Sequence, residues 1–393
     1  MTVTSASSLG RAALPLIVSD VALQGARYIF ILYLGSQSLT YLGSFLMGGA
    51  MGSLLGVLTD FGISQHWLRL GTKGACLTRR TFTGVLLGKI ICSLLGLLLL
   101  GALVIGGLWN VSTPPAMAIG ILLMALQALA ETCEAVGLLF HRYAAVSLFR
   151  LLQSLGVYAL PLLCGALLGQ RHDSDASMVT LVTAAVGGMV VSSLYVWKVV
   201  GAFSGQENSG IGYGEAWWDA RWLGLNQLAV VTDVRAPLII LGFMLGETAV
   251  GLYGLVQRTT AVVELAWASI SRLLLTSYSE LLGEQGVKKL RTQVAHAGRV
   301  TAVVMGAAAM CVWGATFVLV RMAEWPSDMV LAISLLQWAV VAIGFSSVKR
   351  PYVSGMMALF QERFVCRVNV TAALIGLLLV PLGIRYWGIW GPV

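Results

Sequence analysis

The sequence predicts an all-α polytopic membrane protein of about eleven transmembrane helices in two parallel, pseudo-symmetric bundles. Three observations carry that prediction: a shortage of charge, a series of continuous apolar runs, and a stretch repeated at constant offset. Of 393 residues, 58% are apolar and 11% charged, whereas soluble chains carry about 25% charge. So few charged groups cannot clothe the water-facing surface of a soluble enzyme, and so many apolar residues exclude a disordered chain. The net charge of +8 requires no nucleic acid if Lys and Arg gather in loops on one membrane face.

A spanning helix needs about 20 mostly apolar residues. The N-terminal stretch MTVTSASSLGRAALPL has one Arg before its apolar run and no clear cleavage site, so it opens a retained helix rather than a signal peptide. The spans read as 12–34, 41–64, 82–108, 116–140, 146–168, 178–200, 221–245, 250–276, 298–321, 329–348 and 367–386. The apolar runs do not alternate and exceed the roughly 10 residues of a barrel strand. In lipid they must satisfy their own backbone groups, which makes them helices.

Loop charges set the orientation. With the N-terminus inside, the inner segments hold Arg11; Arg69, Lys73, Arg79 and Arg80; Arg142 and Arg150; Lys198 and Arg221; Lys288, Lys289, Arg291 and Arg299; and Lys349, Arg350, Arg363 and Arg367. The outer segments hold only Arg171, Arg321 and Arg385. This alternation supports the span count and a cytoplasmic N-terminus, since one missed helix would invert it downstream.

Leu34–Gly43 and Leu245–Gly254 share their Leu-Gly starts and closing Gly at an offset of 211, which also maps Arg80-Thr81 onto Arg291-Thr292. Span one therefore pairs with seven, two with eight and three with nine. Six spans separate the equivalents, so the halves are parallel and related by an axis along the membrane normal. The polar, Gly-rich stretch Gly201–Ala220 divides them. The expected domains are a six-helix bundle over 1–200, a cytoplasmic linker over 201–220 and a five-helix bundle over 221–393. Two such bundles point to a transporter whose halves rock.

Ionisable groups inside a span cost about 2.5–3.5 kcal/mol on insertion scales, so they are candidate functional residues. Span one carries Asp20 and Arg27, span seven Asp233 and Arg235, and span eight Arg258, Glu264 and Arg272. Span four carries Glu131 and Glu134, one turn apart. Arg27, Arg235 and Arg258 fall at similar depth, with Asp20 and Asp233 just below, which outlines a cationic cavity if these spans face one another. The plainer reading is intramembrane salt bridging, Arg27 to Asp20 or Asp233 and Arg235 to another acid. It leaves the excess of Arg at one level unexplained, and Arg suits phosphate through planar bidentate contacts. Arg272 and Lys89 lie near the inner surface and can snorkel. Asp60 reads as a local cap or pair.

No catalytic or metal-binding constellation emerges. The six cysteines include no CxxC pair, and His66, His141, His172 and His296 lie in loops or span ends without a partnered nucleophile. The loop Gly169–Ser177, with His172, Asp173 and Asp175, reads as a solvated turn. No cofactor, metal or catalytic residue is expected.

Asp60-Phe61-Gly62-Ile63-Ser64-Gln65, followed by Arg69, resembles the DFGLSQ…R stretch of polysaccharide flippases of the O-antigen transporter type. Leu245-Gly246-Glu247-Thr248-Ala249-Val250-Gly251-Leu252-Tyr253, followed by Arg258, resembles their LGxxAVGLY…R stretch. The resemblance covers nearly the whole chain and extends to the superfamily of multidrug, oligosaccharidyl-lipid and polysaccharide exporters. It implies bundles around a central cavity and movement of undecaprenyl-diphosphate-linked oligosaccharide across a bacterial inner membrane. It also implies that Arg27, Arg235 and Arg258 hold the diphosphate while Asp20 and Asp233 tune them. Implied partners are the lipid-linked oligosaccharide, membrane lipid and the polymerase or assembly proteins of surface polysaccharide synthesis.

That family has twelve to fourteen helices. Here Gly388-Ile389-Trp390-Gly391 stands where a twelfth would open, so the expected chain is either naturally short or a truncated reading. Two alternatives remain: a cation-coupled multidrug exporter of the same superfamily, and a degenerate, non-transporting accessory protein. A membrane glycosyltransferase or polymerase lacks a site in this sequence.

Overall fold

The computed structural model describes residues 6–64, 79–105, 112–139, 142–168, 175–202, 218, 220–322, 327–359 and 361–392. Its helices are α1 (Ala6–Gln37), α2 (Leu39–Asp60), α3 (Arg79–Ile105), α4 (Pro114–Leu139), α5 (Tyr143–Gln153), α6 (Leu160–Leu168) and α7 (Asp175–Ala202). They continue as α8 (Arg221–Leu245), α9 (Glu247–Met322), α10 (Ser327–Ala358) and α11 (Glu362–Trp387). A π turn, Ser154–Ala159, joins α5 to α6 as one rod. α9 is two helices meeting at Gly286, whose φ of 75° only glycine adopts freely. Counted as rods, the helices among the described residues number eleven, in keeping with the about eleven expected. Among the described residues there is no strand, and nine helical stretches are long and apolar enough to cross a membrane. The chain is a multi-pass membrane protein.

Several helices outrun their predicted spans. Lys288, Lys289 and Arg291 were expected in a loop, yet α9 continues through them. Lys349 and Arg350 lie inside α10, and Arg363 lies in the first turn of α11. Arg150, expected in an inner segment, lies inside α5. Hydropathy marks where a helix leaves the apolar layer, whereas the backbone stays helical for as long as its own hydrogen bonds persist. Most of the 201–220 linker and the 169–174 loop, with His172 and Asp173, lie outside the described residues. So do Gln65, His66, Arg69 and His141, and the side chains of Glu264 and Arg272.

Two compact units divide the chain, Met1–Gly251 and Leu252–Val393. α8 and the first turn of α9 thus belong with the first unit, although the repeat places α8 at the head of the second half. α8 lies along α2, where Gly242 faces the Met47 sulfur and Gly224 faces the Phe61 carbonyl. Lipid tails are as apolar as leucine, so close packing rather than hydrophobicity holds such helices together. The α2–α4 seam shows how: a Cβ on Gly48 would stand 2.0 Å from the Met117 carbonyl oxygen, and one on Gly120 2.2 Å from that of Phe45. Large side chains such as Leu98 and Leu378 face outward, as lipid contact requires.

The first unit has a dense end. Ile63, Phe82, Val85, Cys133, Val136 and Phe149 are buried together, and Phe149 stacks on Tyr195 at 3.8 Å between centroids. The repeated corners also meet within this unit. A Cβ on Gly43 would clash with the Glu247 carbonyl, one on Gly251 with that of Leu39, and the Thr40 and Thr248 hydroxyls lie 3.2 Å apart.

Candidate functional site: a cationic pair beside a polar stripe

Met124, Gln127, Glu131 and Glu134 recur every three or four residues along α4 and form one stripe on its face. Each member has a described partner. Glu134 accepts two hydrogen bonds from Arg150 of α5, from Nε at 3.1 Å and Nη2 at 2.8 Å. Asp20 of α1 lies 3.9 Å from the same guanidinium. Gln127 donates to the Glu131 carboxylate at 2.9 Å. Arg27 of α1 reaches Met124, its Nη2 3.4 Å from the sulfur.

Asp20 therefore pairs with Arg150, not with Arg27 as the salt-bridge reading had it. Asp20 and Arg27 share a face of α1, but α5 brings a guanidinium to Asp20 first. Among the described residues this leaves Arg27 with the Met124 thioether, a weak acceptor, and no carboxylate. Arg235 of α8 is half-buried and makes no hydrogen bond or ion pair among the described residues. The charges acting on it are those of Arg27 and Glu131. Two guanidiniums from α1 and α8 thus stand within electrostatic reach of each other, and among the described residues Glu131 is the carboxylate that acts on Arg235. Burying such groups unpaired costs several kcal/mol per ion after relaxation.

The remaining expected site residues are Asp233 and Arg258. Asp233 is exposed and, two residues before Arg235, projects from another face of α8. Arg258 is half-buried in the second unit. Arg150 was missed as a site neighbour because its place near the start of span five read as a loop charge. Gln127 was missed although the polar spacing of span four contains it.

A second buried pair lies elsewhere in the first unit. Lys89, expected to snorkel, is 4% exposed and lies 3.3 Å from Asp60. Its ammonium also donates to the Ala128 carbonyl at 2.8 Å and to the Thr132 hydroxyl. Asp60 accepts from the Ser64 hydroxyl at 2.5 Å, so the DFGIS stretch is a local clamp on the end of α2. In the second unit, a cavity of about 580 Å³ opens between the later part of α9 and α10. Its lining, including Met305, Met310, Trp313, Trp338 and Phe345, carries no charged group, so it offers nothing to an ionic headgroup. Among the described residues no three His, Cys, Asp or Glu side chains gather as metal ligands.

Several known structures with this architecture are those of transporters. A multidrug resistance MATE family transporter of the MOP superfamily, inward-facing, matches with a TM-score of 0.63 at 15% identity, over 97% of this chain and 92% of that one. The lipid II flippase MurJ, in an inward closed conformation, matches with a TM-score of 0.67 at 11% identity, over 96% of this chain and 83% of that one. The chain has the fold of these transporters. A MOP superfamily transporter from Pyrococcus furiosus, described as having a binding pocket of reverse polarity, matches with a TM-score of 0.57 at 18% identity, over 97% and 90% of the two chains. No family model and no curated protein sequence matches the chain.

Proposed function

We propose that this chain is a flippase of the bacterial cytoplasmic membrane. It carries undecaprenyl-diphosphate-linked oligosaccharide from the cytoplasmic to the outer face by alternating access, for surface polysaccharide synthesis. The observation that carries the reading is the Arg27–Arg235 pair, two guanidiniums in one helical unit without a carboxylate hydrogen-bonded to either among the described residues. A diphosphate supplies the missing acceptors, and a guanidinium fork matches phosphate oxygens two at a time. The likeness to a lipid II flippase supports a lipid-linked cargo. Moving one net charge across 100 mV changes the energy by about 2.3 kcal/mol. With the inside negative, outward movement of an anionic headgroup is downhill.

The multidrug alternative draws on the MATE likeness and on the exposed Glu131, which a cationic drug would need. The test is complementation in the source organism's own flippase deletion strain, with membrane levels matched. The native chain is expected to restore surface glycan. Arg235→Ala and Arg27→Ala are expected to abolish most of that activity, and Arg235→Lys to retain part of it. Losing one charge-assisted contact, about 1.5–3 kcal/mol, weakens diphosphate binding about 10- to 100-fold. Full activity of both Ala variants would remove the diphosphate assignment. Export of cationic dyes that is lost in Glu131→Gln would favour the multidrug reading. An inert native chain at normal abundance would favour the accessory role.

A further inference from the structure

We propose that the end of the second unit where α9, α10 and α11 turn round is a docking surface for anionic phospholipid headgroups of one bilayer leaflet. The later part of α9, α10 and α11 cross in alternating directions, so the start of the first, the end of the second and the start of the third share one side. A small apolar knot joins two of them: Tyr278, Leu290 and Val294 of α9 are buried against Ala297 and against Leu359, just past α10. Gly298 and Gly355 bring α9 and α10 so close that a Cβ on either would press on Tyr352 or Val294.

Besides Arg350 and Arg363, six Lys and Arg residues belong to these three helix ends: Lys288, Lys289, Arg291 and Arg299 on α9, Lys349 on α10 and Arg367 on α11. All six are exposed, and none forms an ion pair among the described residues. The placement of four of them opposes the helix dipoles. Lys288, Lys289 and Arg291 sit in the first turns after the break at Gly286, and Arg367 in the second turn of α11, whose N-cap Gln361 makes no side-chain capping bond. A helix N-terminus already carries partial positive charge, so cations there repel it unless an anion is present.

Depth identifies the anion. Each helix end carries an outward-facing apolar side chain within about a turn of its cations. Arg299 is followed by Val300 and Val303, Phe345 precedes Lys349 by four residues, and Phe364 precedes Arg367 by three, all exposed. The cations therefore border the lipid-facing belt at headgroup level, where long basic side chains reach lipid phosphates. This inference stands apart from the transport reading, because Arg27 and Arg235 lie in the first unit.

The test is native mass spectrometry of the full chain from neutral detergent. Phosphatidylglycerol and phosphatidylcholine are supplied in turn, and inorganic phosphate serves as a third arm. The native chain is expected to retain phosphatidylglycerol in preference to phosphatidylcholine, with retention falling as salt rises. The variants Lys288→Gln/Lys289→Gln/Arg291→Gln and Arg299→Gln/Lys349→Gln/Arg367→Gln are each expected to lose it, by roughly fivefold per charge removed. Arg142→Gln, an exposed cation of the first unit, serves as control and is expected to match the native chain. Equal retention of the two lipids, insensitivity to salt, or competition by inorganic phosphate at equal concentration would overturn the proposal. The salt and lipid comparisons need no variant, so they decide the matter even if a triple variant fails to fold.

Discussion

Lys89 keeps its ammonium at 4% exposure because the Asp60 carboxylate, the Ala128 carbonyl and the Thr132 hydroxyl surround it. Removing one member of such a pair strands the other. Lys89→Met is therefore expected to destabilise the chain by on the order of 3 kcal/mol, because Asp60 stays buried without its cation. The double variant Asp60→Asn/Lys89→Met should recover most of that loss. Thermal unfolding in detergent compares the three chains, and a double variant as unstable as the single one would mean that the pair itself contributes the stability. Arg150 differs, since it serves Glu134 and Asp20 at once. Its occupation by two acids is what leaves Arg27 and Arg235 in positive surplus.

The helices associate through backbone approach. At the α2–α4 seam a methyl on Gly48 would meet the Met117 carbonyl oxygen at 2.0 Å, and backbone cannot retreat as a flexible side chain can. Gly48→Ala is expected to cost about 1–3 kcal/mol by overpacking. Gly25→Ala, in α1 with nothing within 4 Å of the new Cβ, should instead gain about 0.5–1 kcal/mol of helix propensity. Opposite signs in a denaturation assay would establish that the seam, and not glycine content, sets the difference. The repeated corners give a second element-scale prediction. Their hydroxyls lie 3.2 Å apart, so Thr40→Cys/Thr248→Cys should cross-link under mild oxidation, with neither single variant doing so. Absence of a cross-link would separate the corners in the membrane.

At the scale of the whole molecule, the alternation of basic loops predicts an N-terminus on the cytoplasmic side. Single cysteines at two exposed positions test it. Arg142→Cys should react with an impermeant thiol reagent only from the cytoplasmic face, and Ser36→Cys only from the outer face. The reverse pattern would turn the whole chain over and with it the direction of transport. The helix count was legible because a span in lipid must be apolar over a set length. The helix ends at Lys288, Lys349 and Arg363 were not, because hydrogen bonding carries a helix past the point where hydropathy changes. The candidate site was half legible. Depth along the spans singled out Arg27 and Arg235, but depth does not say which acid stands across from which base.

The sequence by itself determined that this chain spans a membrane as helices, that its corners repeat, and that more arginine lies within its spans than its composition requires. Those properties follow from residue type and spacing, which lipid reads directly. Partnership was decided only by tertiary structure. α5 carries Arg150 to Asp20 and Glu134, α2 and α3 join Asp60 to Lys89, and α8 brings Arg235 within reach of Arg27. An ion pair in a helical bundle depends on which faces meet and at what height, and that register is fixed by glycine seams such as Gly48 on Met117 and Gly120 on Phe45, between residues far apart in sequence.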